Sequence, residues 1–73
     1  MMRESYTMHH KVVAYLVEIV HEESVPVNIE IGSKHKDYNG DTQMNVLLEY
    51  EEKDEAYIGK ILTTAVNHIV NLC

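Results

Sequence analysis

Apolar residues recur at helical spacing over residues 7–23 and predict a first α-helix there. Thr7 or Ser5 offers a side-chain oxygen that can cap its N-terminus. Ala14 and Val17 widen the apolar surface beyond a single stripe, so we expect this helix to have more than one packing neighbour. Residues 1–6 lie outside the pattern and are expected to be disordered. The helical stripe consists of Val12, Val13, Leu16, Ile19 and Val20.

Two further segments alternate between apolar and polar residues and predict two antiparallel strands. The first covers residues 25–31 and includes Pro26, which suits the start of a strand or a sheet edge. The second covers residues 42–52. Residues 32–41 between them contain an Asn-Gly dipeptide and predict a long hairpin loop. The residues expected to face the core are Val25, Val27, Ile29 and Ile31 on the first strand and Met44, Val46, Leu48 and Tyr50 on the second.

A second helix is predicted from Asp54 to the end of the sequence. Asp54 is the expected N-cap, and Glu55 lies in the first turn, where a carboxylate complements the positive end of the helix dipole. Residues 61–73 carry no formal charge, so we expect the end of this helix to be covered on more than one side. Its predicted buried stripe is Ile58, Ile61, Leu62, Ala65, Ile69 and Leu72.

These elements predict an α+β fold of helix, strand, strand and helix, in a single domain over residues 1–73. The predicted sheet is antiparallel and two-stranded, and such a sheet is marginally stable alone and leaves open edges. A domain this small buries only about 60% of the surface of its unfolded chain. We therefore expect a homodimer that completes the sheet and covers spare apolar helix surface.

Cysteine content and hydropathy bear on the compartment. The single cysteine, Cys73, is the last residue, so no intramolecular disulfide forms and we expect a cytoplasmic location. Residues 1–10 lack the apolar core of a signal peptide, and the longest apolar run, residues 12–17, is too short to span a bilayer. We therefore expect no membrane partner.

The charge balance bears on the class of partner. The chain has 12 acidic and 6 basic residues, which gives a formal net charge of −6 with neutral histidines. Acidic residues outnumber basic residues in each third of the chain. Because affinity for nucleic acids depends largely on Lys and Arg contacts to phosphates, this balance argues against direct nucleic-acid binding.

The chain offers little for catalysis or metal binding. His9 and His10 are adjacent and the other three histidines lie on separate predicted elements, so no pair has the i, i+4 spacing of a helical metal site. The serines lie in cap or loop positions without the glycine-flanked turn of a nucleophile. We expect no catalytic residue, no metal, no cofactor and a non-enzymatic function.

One short motif supports an alternative function. The order of "LVEIV" in a helix, two paired strands and "EAYIGKILTTAVNHIV" resembles the small bacterial KH-type RNA-binding proteins, in which a helical hairpin with an IGKxG loop holds the RNA backbone. Ile58, Gly59 and Lys60 match the opening of that motif, whereas Leu62 occupies the second glycine position. The resemblance implies RNA or ribonucleoprotein binding through Gly59, Lys60 and the basic residues 34–36.

Residues 48–57, "LEYEEKDEAY", gather five carboxylates around Lys53. One interpretation is a solvated surface that keeps a small protein soluble. Alternate residues on a strand are about 6.6 to 6.8 Å apart. Carboxylates along a strand and into a helix start can therefore also approximate a row of DNA phosphates. The candidate partner-binding residues are Glu30, Glu49, Glu51, Glu52, Asp54 and Glu55, with Glu18 and Glu22 as a flank.

In size, acidity and lack of catalytic motifs, the chain resembles the small acidic bacteriophage proteins that mimic DNA and inhibit the host histone-like nucleoid protein HU. The resemblance implies a basic DNA-binding protein as partner in a bacterial cytoplasm. A homodimer would double the net charge of −6 to −12 and could place two acidic surfaces side by side.

Overall fold

The computed structural model of the chain describes residues 1–71 and contains three β-strands, two α-helices and a short 3₁₀ helix. The predicted α+β class is confirmed. The predicted core residue Leu72 lies outside the described residues. In chain order the elements are β1 (Met2–His9), α1 (His10–Glu23), β2 (Val27–Lys36), β3 (Thr42–Tyr50), the 3₁₀ helix (Glu52–Asp54) and α2 (Glu55–Asn71).

The sheet has three strands rather than the predicted two, because β1 pairs antiparallel with β3. The strand order is β1-β3-β2, which makes β3 the central strand. Most of residues 1–6, expected to be disordered, therefore lie in a strand. The alternation of β1 is hard to recognise in the sequence because Glu4 occupies one of its inward positions, opposite Leu48.

The first helix begins at His10 and not at residue 7, since the residues before it belong to β1. His9 keeps an extended backbone, and its Nδ1 accepts a hydrogen bond from the Lys11 backbone N–H at 3.1 Å. This bond satisfies one of the free N–H groups at the helix start, so His9 is the cap in place of the predicted Thr7 or Ser5. The predicted end at Glu23 is confirmed, and Ser24 caps it in a left-handed conformation with its N–H bonded to the Val20 carbonyl.

The inner face of the sheet carries the core. The predicted inward residues of β3 are all buried, and Leu48 is only 1% exposed. Val27 and Ile29 of β2 also face inward and are partly buried, whereas Ile31 is inward but 49% exposed at the edge strand. Val25 is buried but precedes β2. The buried core consists of Met8, Val12, Val13, Leu16, Ile19, Val25, Met44, Val46, Leu48, Tyr50, Ile58, Ile61 and Ala65.

The β2–β3 hairpin is longer, and its loop shorter, than the alternation predicts. A register shift between Ile31 and Lys34 marks a β-bulge, after which pairing continues to Lys36 opposite Thr42. The extra residue breaks the period of two, so the apolar pattern stops at Ile31 while the strand continues. The predicted turn is confirmed at Gly40, whose φ of 84° suits glycine.

The two helices cover the inner face side by side and run in opposite directions. The Tyr57 hydroxyl donates to Glu23, so the start of α2 lies beside the end of α1. Nearer the other end of α2, the His68 ring stacks on Tyr15 with centroids 3.9 Å apart. No helix within residues 1–71 is long and apolar enough to cross a bilayer. The predicted stripe of α2 is confirmed, with Ile58, Ile61 and Ala65 buried and Leu62 and Ile69 partly buried.

Candidate protein-binding surface

The topology brings the end of α1, the start of β2, the end of β3 and the start of α2 to one end of the molecule. The sheet register places Met2, Tyr50 and Val27 in one row at this end. The carboxylates on these segments therefore meet although they come from separate parts of the sequence. We call the following six residues the acidic end: Glu22, Glu23, Glu51, Glu52, Asp54 and Glu55.

Two interactions confirm how these segments come together. The hydrogen bond from Tyr57 to Glu23, 3.4 Å long, joins the last residue of α1 to the first turn of α2. The negative charge of Glu55 contributes to the raised pKa of Tyr50 at the end of β3. The acidic end thus contains half of the chain's 12 acidic residues, with Lys53 between them and Lys60 less than two helical turns further along α2.

Beneath the acidic end, one carboxylate is held by two tyrosines on the inner face. Glu4 accepts hydrogen bonds from the hydroxyls of Tyr6 and Tyr50. The hydrogen bond to Glu4, together with burial and the charges of Glu4 and Glu55, raises the pKa of Tyr50 to about 12. Burial, followed by the charge and hydrogen bond of Glu4, also raises the pKa of Tyr6. Glu4 is therefore a structural carboxylate with its oxygens engaged.

The acids predicted to share the solvated face of the sheet differ in their environment. Glu49 lies opposite Arg3 and forms an ion pair with it at 3.1 Å, and its other oxygen accepts from the Asn28 side chain. Its charge is thus largely compensated. Glu30, on the same outer face, is exposed and has no hydrogen-bond or ion-pair partner among residues 1–71.

The predicted site residues therefore separate into three groups. Five residues are brought together at the acidic end and do not form the expected row along a strand: Glu22 at a helix end, Glu51 just before the 3₁₀ helix, Glu52 and Asp54 within it, and Glu55 at a helix start. Glu30 and Glu49 lie on the outer face of the sheet. Glu18 is exposed on α1 one helical turn before Glu22, so it flanks the acidic end as predicted.

Sequence reasoning missed two residues that shape this surface. Glu23 joins the acidic end only because α1 and α2 pack in opposite directions, which no local pattern reports. Arg3 neutralises Glu49 only because residues 2–9 form a strand. The alternation of Met2, Tyr6 and Met8 is the signal that could have revealed this strand.

The opposite end of the molecule, at the β2–β3 hairpin, is richer in basic groups. Asp37 organises its loop, since its carboxylate accepts the backbone N–H groups of Asn39 and Asp41 and the side-chain amide of Gln43, each at 2.9 Å. The hydrogen bond from Asp41 is the main cause that lowers the pKa of Asp37. The basic side chains and histidines at this hairpin end are His9, His10, Lys11, Lys34, His35 and Lys36.

A hollow of about 590 Å³ lies on the outer face, near the middle of the sheet. Leu47 of the central strand forms its apolar floor, with Ser5 on one side and Glu30 on the other. The bulge at Gly32 borders it further along β2. We call this hollow the central groove; its lining residues with outward side chains are Ser5, Thr7, Glu30, Asn45 and Leu47.

The structure does not form the loop that the KH resemblance implies. Ile58, Gly59 and Lys60 lie within the continuous helix α2. The Thr63 hydroxyl also donates to the Gly59 carbonyl at 3.0 Å, so that carbonyl is engaged within the helix. Lys60 lies near the start of α2, whereas the basic residues 34–36 lie at the hairpin end. The residues proposed to act together on RNA are thus at opposite ends.

Within residues 1–71, no group of three or more His, Cys, Asp or Glu side chains is arranged to hold a metal ion. Comparison of the chain with protein-family models, with curated proteins and with solved structures finds no match. The functional conclusion therefore depends on the chemistry of the surface, since the fold alone does not specify a function.

Proposed function

We propose that the protein is a non-enzymatic inhibitor that presents the acidic end to a basic DNA-binding protein, such as a histone-like protein, in the bacterial cytoplasm. The observation that supports this function most strongly is the convergence of six carboxylates from two separate segments, residues 22–23 and 51–55, at one end of the molecule. A surface of this kind competes with DNA because both offer closely spaced negative charges to the same Lys and Arg side chains.

The distribution of charge over the whole molecule adds to this argument. The acidic end and the more basic hairpin end lie at opposite ends of a molecule with a longest dimension of 37 Å. Such an asymmetric charge distribution orients an approaching basic protein toward the acidic end and raises its association rate. Uniformly spread charges on a merely soluble surface would give no preferred orientation.

The proposed active form is a homodimer. Both β1 and β2 are edge strands with one unpaired side, and α2 exposes Val66 and Val70 in its charge-free half. Pairing of two sheets, or of two helical surfaces, would cover these groups and place two acidic ends in one particle. Analytical ultracentrifugation tests the proposed dimer, because a dimer sediments as a particle with twice the monomer mass of 8.4 kDa.

A DNA competition assay tests the function. A purified HU-type protein is bound to labelled duplex DNA, and the parent protein is expected to release the DNA in a concentration-dependent manner. Glu51→Gln with Glu52→Gln removes two charges from the acidic end while keeping side-chain size, and it should weaken the competition by about tenfold or more.

The matched control makes the same change in net charge elsewhere. Asp41→Lys at the hairpin end changes the net charge by the same two units at an exposed position far from the acidic end, and it should compete like the parent. Equal loss in both variants would mean that only net charge matters and would contradict a defined binding surface. Direct binding of labelled DNA or RNA by the parent, abolished by Lys60→Glu, would instead support the KH-like alternative.

A further inference from the structure

The central groove lies on the same outer face as an intramolecular pair of arginine and glutamate. In that pair, the Nε of Arg3 lies 3.1 Å from a carboxylate oxygen of Glu49, across the β1–β3 pairing. Glu49 is further fixed by the Asn28 side chain at 3.1 Å. The outer face thus already contains one site where strand residues hold a guanidinium group.

The next outward row of the sheet contains a similar carboxylate without a cation. Here Ser5, Leu47 and Glu30 lie side by side on β1, β3 and β2. In this row β1 supplies a serine rather than an arginine, and Glu30, two strands away on β2, is unpaired among the described residues. A hollow remains above Leu47. The row therefore offers a carboxylate, an apolar surface and free space, and it contains no cation.

We propose that the central groove receives one arginine side chain of the basic protein partner. This inference rests on the proposed function and extends it, because it names a specific contact outside the acidic end. The aliphatic part of the arginine packs on Leu47, and its planar guanidinium donates two hydrogen bonds to the Glu30 carboxylate.

The remaining groups of the groove suit this occupant. Asn45 Oδ1 accepts from the Thr7 hydroxyl at 3.1 Å, and the Asn45 amide donates to Ser33 Oγ at 2.9 Å. The wall is therefore held by cross-strand bonds, and the Asn45 oxygen and the Ser5 hydroxyl retain capacity to accept a further N–H. A volume of about 590 Å³ accommodates one long side chain with surrounding water. Arginine fits better than lysine because its donors form a planar fork.

Two variants change the groove without touching the acidic end. Glu30→Gln removes the charge and keeps the shape. Gly32→Val fills the groove from the bulge, and its Cβ would lie 3.4 Å from the Asn45 backbone oxygen and 3.5 Å from the Asn45 Cβ, which is ordinary contact. Thermal unfolding checks that both variants remain folded. Asp41→Asn, an exposed acid at the hairpin end, is the control for the loss of one charge.

In the competition assay with the HU-type protein, each groove variant should weaken the competition about tenfold, whereas Asp41→Asn leaves it unchanged. If the acidic-end variant loses competition while both groove variants match the parent, the groove inference is wrong and the proposed function stands.

A small probe tests the groove even if no DNA-binding protein responds. In a ¹H–¹⁵N NMR titration, N-acetyl-L-arginine methylamide should cause saturable shifts at Glu30, Asn45 and Leu47, and these should disappear in Glu30→Gln. The neutral citrulline analogue should cause smaller shifts. Equal shifts from both compounds, or shifts confined to the acidic end, would overturn the inference independently of the proposed function.

Discussion

Leu47 and Leu48 are adjacent, chemically identical and located on opposite faces of the central strand. Leu48 is 1% exposed and lies in the core between the sheet and the helices, whereas Leu47 forms the floor of the open central groove. Truncation of Leu48 to Ala removes buried methyl groups and leaves a cavity, which costs about 2 to 5 kcal/mol. Truncation of Leu47 to Ala enlarges a hollow that solvent already reaches, so its cost should be below about 1 kcal/mol.

The assay is urea unfolding monitored by circular dichroism, with thermal unfolding in parallel. In a domain of this size, 1 kcal/mol shifts the melting temperature by about 4 to 8 °C. Leu48→Ala should therefore lower the melting temperature by at least about 8 °C. The corresponding loss of about 2 kcal/mol or more is a large part of a total free energy of unfolding that starts near 5 kcal/mol in small domains. Similar shifts for the two variants, or a larger shift for Leu47→Ala, would refute the assignment of the inner and outer faces.

Two further predictions concern pH. The pKa of Tyr50 is raised from its ordinary value of 10 to about 12, because the folded state favours the neutral hydroxyl. The contribution of this hydroxyl to the free energy of unfolding is therefore complete below pH 10 and is lost as the pH rises toward 12. The decline of the urea midpoint over this range should be smaller in Tyr50→Phe, whereas Tyr38→Phe, whose ring is fully exposed, should decline like the parent. The pKa of Asp37 is lowered from 3.8, so its contribution is present above pH 3.8 and is lost as the pH falls through the lowered value. Asp37→Asn should reduce stability at neutral pH and flatten the decline of the urea midpoint as the pH falls. The control Asp41→Asn should show the same dependence of the urea midpoint on pH as the parent. If Asp37→Asn also shows the parent's pH dependence, the role of its loop hydrogen bonds is contradicted.

The parts of the fold that the sequence predicts are those with an uninterrupted apolar period. The inner residues of β3 and the stripe of α2 follow such periods and are confirmed. β1 escaped prediction because Glu4 stands at an inward position, where two tyrosine hydroxyls compensate its carboxylate. β2 appeared too short because the bulge after Ile31 shifts the alternation by one residue.

The candidate site was predictable mainly where it is local, and Glu22 is its one correctly predicted residue from another segment. Glu51, Glu52, Asp54 and Glu55 are close together in the sequence, so their joint location at one end follows from the chain itself. The contribution of Glu23 depends on helix packing, and the compensation of Glu49 depends on the strand that carries Arg3. Long-range pairing decides which carboxylates remain available to a partner, and local patterns do not report it.

The salt dependence of binding tests the central claim most directly. The affinity of the parent protein for an HU-type protein is measured over a range of salt concentrations and compared with that of Glu51→Gln/Glu52→Gln. If the acidic end supplies long-range attraction, salt screens it over a Debye length of about 8 Å at physiological ionic strength, so the parent's affinity falls steeply with salt. The double variant should bind more weakly at low salt, show a flatter dependence and approach the parent at high salt. Identical salt dependence of the parent and the double variant would contradict the claim that the acidic end binds in place of DNA.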